Sequence, residues 1–155
     1  MSLSEKWTQI YHRHCKTVWN ICYPYFMNPA DTEDAVQETF LRLIRAGKAF
    51  RDEDHEKAWL IVTAKNVCRD ELKRARRKEV PIEAAAGLPS PESQEDETLL
   101  AIQGLPEKQR TAIYLYYYEG YGTIKIAQML RRTHASVRSD LRRGRLALKK
   151  RLGGI

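Results

Sequence analysis

The stretch from Lys78 to Thr98, KEVPIEAAAGLPSPESQEDET, constrains the fold more than any other part of the sequence. It carries Pro81, Pro89, Pro91 and Gly87 and no aromatic residue. Such a composition offers too little apolar surface to offset the entropy lost on ordering, so the stretch reads as a flexible linker. A linker over 77–101 leaves a first domain over 1–76 and a second over 102–155. Each is a small single-core unit, and neither has room for a large catalytic domain with its own cofactor fold. The same division polarises the charge. The whole chain carries 27 Lys and Arg against 20 Asp and Glu, a net of +7. Residues 1–76 hold 13 basic and 11 acidic side chains, residues 77–101 hold 2 and 6, and residues 102–155 hold 12 and 3. A weakly basic domain, an acidic linker and a strongly basic domain follow in order, with 43% apolar residues left to build cores. A folded protein that binds a polyanion is the class this favours.

Outside the linker the apolar residues recur at helical spacing, with no period-two run and no Asn-Gly hairpin signal, so the expected fold is all-α. Trp7, Ile10, His14, Val18 and Ile21 form one stripe of a helix over about Ser4 to Tyr23, broken by Pro24 to Pro29. A metal site from His12, His14, Cys15 and Cys22 is the alternative reading of the cysteines and histidines in this helix. The place of His14 in the apolar stripe favours a packed core histidine, and no metal is assigned. Cys15, Cys22 and Cys68 form no CxxC pair, and an odd count suits reduced thiols.

The second helix is expected to begin at Asp31 as N-cap, with Glu33 and Asp34 near its positive end. Val36, Phe40, Leu43 and Ile44 form its core stripe. Asp34, Glu38, Leu41 and Arg45 form the opposite face, where one leucine sits among charges. Plain solvation of that face is the alternative. A polar turn over Gly47 to Glu56 contains Phe50, and a third helix runs from about Lys57 to Arg76. Leu60, Ile61, Ala64, Cys68 and Leu72 supply its core side, while Lys65, Arg69, Lys73 and Arg76 make a basic stripe. Trp59, Thr63 and Asn66 lie beside that stripe. Cations interleaved with aromatics suit single-stranded nucleic acid, where bases stack and phosphates meet positive charge; a purely structural Trp59 carries comparable weight.

After the linker, Leu105-Pro106-Glu107 opens a helix through Tyr118, and Glu119 to Gly122 ends it. A short helix over about Thr123 to Leu130 and a turn at Arg131 to Thr133 lead into a final helix reaching Leu152. Val137, Leu141, Leu148 and Leu152 mark its apolar side, and Arg138, Arg142, Arg145 and Lys149 its cationic side. Two helices joined by a tight turn, the second rich in arginine, form a helix-turn-helix that presents side chains to the major groove.

Both halves resemble one family, the extracytoplasmic-function (ECF) sigma factors of bacterial RNA polymerase, in the sigma-70 class. Asp31-Thr-Glu-Asp-Ala-Val-Gln-Glu-Thr-Phe-Leu-Arg-Leu looks like the family's region 2 helix. Phe50-Arg51, followed by Trp59-Leu-Ile-Val-Thr-Ala-Lys-Asn66, looks like its downstream-element reader. Leu105-Pro-Glu-Lys-Gln-Arg110, Glu119-Gly120, Ile126-Ala127, Leu130 and Val137-Arg138-Ser139, with Leu141, Arg143 and Arg145, look like region 4.

The resemblance implies a promoter-specificity subunit with no catalytic activity, no cofactor and no small-molecule substrate. Asp34, Gln37, Glu38 and Leu41 would dock on the β′ clamp helices of core polymerase. Phe50, Trp59, Lys65, Asn66, Arg69 and Lys73 would hold the minus-10 element. Ser136, Arg138, Ser139, Arg142, Arg143 and Arg145 would meet the minus-35 element. The β flap and an anti-sigma factor are further implied partners.

The chain departs from the family pattern at Gly122-Thr123-Ile124-Lys125, which opens the short helix, and at Arg131-Arg132-Thr133 in the turn. Arg131 is expected either to take the left-handed conformation at about 1–2 kcal/mol or to change the turn. A plain helix-turn-helix regulator is the rival reading, and it leaves the first domain without a role. A small nuclease or nucleotide-binding enzyme fits less well, because the sequence has no Gly-rich phosphate loop, metal-ligand spacing or nucleophile constellation. The start MSLSEKWTQ lacks a basic leader and an apolar signal core, and no run of eighteen apolar residues occurs, so a cytoplasmic protein is expected.

Overall fold

The computed structural model describes residues 2–78 and 97–153, which divide into two helical units, one within 1–91 and the other within 92–155. No strand occurs among the described residues. The core of the expected linker, 79–96, lies outside them.

The first unit is a three-helix packing of α1 (Leu3–Phe26), α2 (Pro29–Ala46) and α3 (Glu53–Lys78), each in contact with the other two. A capping box starts α1: the Glu5 N–H donates to Ser2 Oγ at 3.2 Å, and the Ser2 N–H to Glu5 Oε2 at 3.4 Å. The expected break at Pro24 does not occur, and the helix runs through it to Phe26. Pro24 removes one intrahelical donor near a helix end, where few downstream turns depend on it. The helix stops at Met27, which is left-handed at φ 60° and donates its N–H to the Tyr23 carbonyl at 2.8 Å.

The N-cap of α2 is Asn28 rather than Asp31. Asn28 Oδ1 accepts the Asp31 N–H at 2.9 Å, and its Nδ2 donates to Asp31 Oδ2 at 2.9 Å. Pro29 then occupies the first helical position, where a missing N–H costs nothing. Similarly, α3 starts earlier than Lys57, because Asp52 Oδ1 accepts the His55 N–H at 2.8 Å. The acidic first turn of Glu53, Asp54 and Glu56 lies at the positive end of the helix dipole.

Val18, Leu43, Leu60, Ile61 and Val67 fill the core with Cys22, Ala35, Ala64 and Cys68. Burying each large aliphatic side chain contributes about 1.5–3 kcal/mol. Ile44 does not join them and is 43% exposed, because Thr32, Ala35, Val36, Thr39, Phe40 and Leu43 already complete the buried stripe of α2. Leu72 is half-buried.

The second unit comprises α4 (Glu97–Gln103), α5 (Glu107–Tyr117), α6 (Thr123–Leu130) and α7 (His134–Arg151). Residues 97–101, read from sequence as linker, are helical, and α4 packs on α5 and α7 through buried Ile102. Four consecutive apolar residues, Leu99 to Ile102, in a helix of two turns leave little periodic signal to read. Thr111 to Leu115 of α5 are buried, and α5 packs on α4, α6 and α7. The buried side of α7 is Val137, Asp140, Leu141 and Gly144, with Leu148 half-buried and Leu152 42% exposed. The expected leucine side thus fades beyond Gly144. A Cβ at Gly144 would lie 2.6 Å from Ile113 Cγ1, so glycine lets α5 and α7 approach closely.

Candidate nucleic-acid interface

Three surfaces carry the residues that the sequence singles out. On α2, Asp34, Gln37 and Leu41 are exposed and Glu38 is half-buried. Glu38 Oε1 pairs with Arg45 at 3.0 Å and Arg42 at 3.7 Å, and Arg42 also reaches Asp70 of α3 at 3.3 Å. The charges around Leu41 are therefore ordered by one another. Leu41 itself, 45% exposed, stands on the side opposite the buried stripe.

The second surface is the turn before α3 and the outer side of that helix. Phe50 packs edge-on against His55 at 5.2 Å and Trp59 at 5.9 Å between ring centroids, and all three rings are half-buried. The Arg51 N–H donates to His55 Nδ1 at 3.2 Å. Asn66 is exposed two helical turns beyond Trp59, about 10 Å along the axis, and makes no part of the ring cluster. Lys65 is half-buried, and Arg69 and Lys73 are exposed at successive four-residue steps on the same helix. The structure thus joins Phe50 to Trp59 and sets Asn66 and the cations along one path leading away from them.

Sequence reasoning missed what braces this turn. Glu56, placed by sequence in the turn, is a buried residue of α3 whose Oε1 lies 2.7 Å from His14 Nε2 and 2.9 Å from the Arg13 guanidinium of α1. Arg13 also reaches Glu53 at 3.3 Å. His14 is therefore a buried histidine facing a carboxylate, with Cys22 buried and Cys15 half-buried on the same helix. The signal available in the sequence was a histidine inside an apolar stripe, which needs a polar partner from another element.

The third surface is α6, its turn and α7. Arg131 is left-handed at φ 52°, one of the two outcomes expected from sequence. Its N–H and that of Arg132 satisfy the last carbonyls of α6, with Arg132 N to the Ala127 oxygen at 3.0 Å. Thr133 caps α7 by accepting the Ser136 N–H at 3.1 Å and donates its own hydroxyl to Ser136 Oγ at 2.8 Å. His134 Nε2 lies 2.7 Å from Thr123 Oγ1, joining the first residue of α7 to the first of α6. The Arg132 guanidinium forms an ion pair with Asp140.

Arg138, Arg142 and Arg143 are exposed on α7, and Ser136 and Ser139 are half-buried. Arg145, also exposed, lies farther along α7, with its guanidinium 5.9 Å from the Tyr116 ring centroid and 6.0 Å from that of Tyr117. Aromatic faces attract such a cation by about 0.5–1 kcal/mol at exposed sites. Ser136, Arg138 and Ser139 lie in the first two turns of α7 and Arg142 opens the third, while Arg145 lies against Tyr116 and Tyr117 of α5.

Known proteins match both units. The Sigma-70 region 2 model matches residues 10–78, and the Sigma-70 region 4 model matches residues 95–148. The ECF RNA polymerase sigma factor SigM of Mycobacterium tuberculosis is 29% identical over 150 residues, covering 94% of this chain and 76% of that protein. SigL of the same species is 30% identical over 142 residues, covering 85% of this chain and 80% of SigL. Among solved structures, the sigma factor RpoE, in complex with the anti-sigma factor NepR from Bartonella quintana, has a similar fold. Its TM-score is 0.75 at 22% identity, with 96% of this chain and 97% of that chain covered. CnrH, in complex with the cytosolic domain of CnrY, gives 0.65 at 24% identity, covering 97% and 90%. With both sigma-70 regions matched in order, and a relative 30% identical across most of both sequences, this chain belongs to the ECF RNA polymerase sigma factors.

Proposed function

We propose that the first unit docks on core RNA polymerase through the α2 face of Asp34, Gln37, Glu38 and Leu41 and captures the minus-10 element on α3. Phe50 and Trp59 would flank an unstacked base, Asn66 would bond a base edge farther along, and Lys65, Arg69 and Lys73 would follow the backbone. The second unit would read the minus-35 element through Ser136, Arg138, Ser139, Arg142 and Arg143, with Arg145 at the far end of the contact. The observation that carries this reading is the pairing, in one chain, of an aromatic cluster at the head of a basic helix with a braced helix-turn-helix.

The chain acts in the cytoplasm by binding alone, without catalysis, cofactor or small-molecule substrate. Its other partners are the polymerase β flap and an anti-sigma protein, in line with the complexes of RpoE and CnrH. No helix among the described residues is long and apolar enough to cross a membrane.

Transcription from a randomised promoter library with purified core polymerase and the full chain tests the reading. Transcripts that begin downstream of two shared sequence elements are expected. Silence with core polymerase, combined with altered output from a holoenzyme, would favour the helix-turn-helix regulator instead.

A further inference from the structure

The three residues at which the turn departs from the family pattern have separate structural tasks. Arg131 takes the left-handed conformation that ends α6, and Thr133 caps α7. Arg132 reaches forward eight residues to Asp140, a buried carboxylate in the second turn of α7. Asp140 belongs to the packed side of the helix with Val137, Leu141 and Gly144, next in sequence to Ser139, which borders the exposed side. A carboxylate there, without a cation, would be a buried charge close to incoming phosphates. With Arg132 paired to it, the charge is neutralised and the turn is tied to the helix body. Ahead of Val137, the first buried apolar residue of α7, the Thr133 cap and the contact from His134 to Thr123 also hold this end.

We infer that Arg132 and Asp140 are positioning residues that set the rotation and tilt of α7 against DNA, and so determine which bases Arg138 and Arg142 meet. The inference rests on the promoter-reading function proposed above. Base contacts tolerate displacements of only about 0.5 Å and rotations of about 10–20°. A tie from the turn to the second helical turn acts on that scale while touching no base itself. The pair also keeps the Arg132 cation away from phosphate.

The test uses the full chain on a duplex pool randomised over the binding region, followed by affinities for the selected sequence and for random duplex. Asp140→Ala should lower the ratio of selected to random affinity by about 10-fold, because base contacts are lost while phosphate contacts stay. Releasing Arg132 should also steepen the salt dependence on random duplex by about 0.9 in log–log slope, one added phosphate contact. The charge-swapped pair Arg132→Asp with Asp140→Arg should recover most of the ratio. If circular dichroism shows Asp140→Ala unfolded, Asp140→Asn is read in the same way, with a smaller loss of ratio expected. An unchanged sequence preference accompanied only by a lower melting temperature would make the pair purely structural and overturn the inference. Equal losses on selected and random duplex would do the same. A wild-type chain that selects no sequence would fail the promoter reading and remove this inference with it.

Discussion

Gly144 shows how one missing methyl group sets a helix crossing. Replacing it by alanine gains about 1 kcal/mol of helix propensity, but the new Cβ would sit 2.6 Å from Ile113 Cγ1 and 3.0 Å from its Cδ1. Overpacking of that kind costs about 1–3 kcal/mol, so Gly144→Ala should lower the thermal midpoint of the second unit and Gly144→Val should lower it further. Calorimetry checks this, and a raised midpoint for alanine would mean that Ile113 moves aside freely. Arg131 offers the opposite case. Its left-handed backbone carries about 1–2 kcal/mol of strain, part of which glycine returns to the unfolded chain as extra entropy. Arg131→Gly should therefore stabilise the chain by about 0.5–1 kcal/mol, seen as a higher urea midpoint at constant slope. A lower midpoint would show that the arginine side chain contributes more than its backbone costs.

At the scale of elements, the outer side of α2 is sorted by period. Thr32, Ala35, Val36, Thr39, Phe40 and Leu43 face the core, while Leu41 stands among Asp34, Glu38 and Arg45. Truncating an apolar contact at the centre of an interface commonly costs more than about 1 kcal/mol, and an exposed leucine adds little to folding. Leu41→Ala with Asp34→Ala should accordingly weaken binding to core polymerase about 10-fold and leave the melting temperature within a degree or two. A pull-down titration decides, and unchanged affinity would remove this face from the docking model. Element types followed from the sequence more readily than their ends did. Asn28 and Asp52 cap α2 and α3 by accepting N–H groups three residues ahead, at 2.9 and 2.8 Å, and several Asp and Asn residues near each start compete for that role. Pro24 reads as a breaker from sequence, yet so near a helix end a lost donor is a small cost.

For the whole molecule, the acidic stretch over 77–101 belongs to the charge balance, although 79–96 lie outside the described residues. Covalent attachment would hold the carboxylates of Glu92, Glu95, Asp96 and Glu97 at high effective concentration for the chain's cationic faces, and they are expected to compete with DNA for those faces. Replacing the four by glutamine should raise the affinity of the free chain for random duplex, and the gain should shrink as salt screens exposed charges over about 8 Å at physiological ionic strength. Anisotropy at several salt concentrations measures this, and superimposable curves would leave the segment as a spacer. The sequence by itself determined that the chain is helical, where its apolar stripes run, that an acidic Pro-rich stretch interrupts them, and which faces are cationic. Those properties are local or periodic and repeat within a few residues along the chain. Only the tertiary structure decided that His14 and Arg13 meet Glu56, that Phe50 meets Trp59 with His55 between them in sequence, that Arg132 reaches Asp140, and that Ile113 needs a glycine at 144. Each of these depends on a turn geometry or on a distance between backbones from different elements, and hydrophobic periodicity carries information about neither.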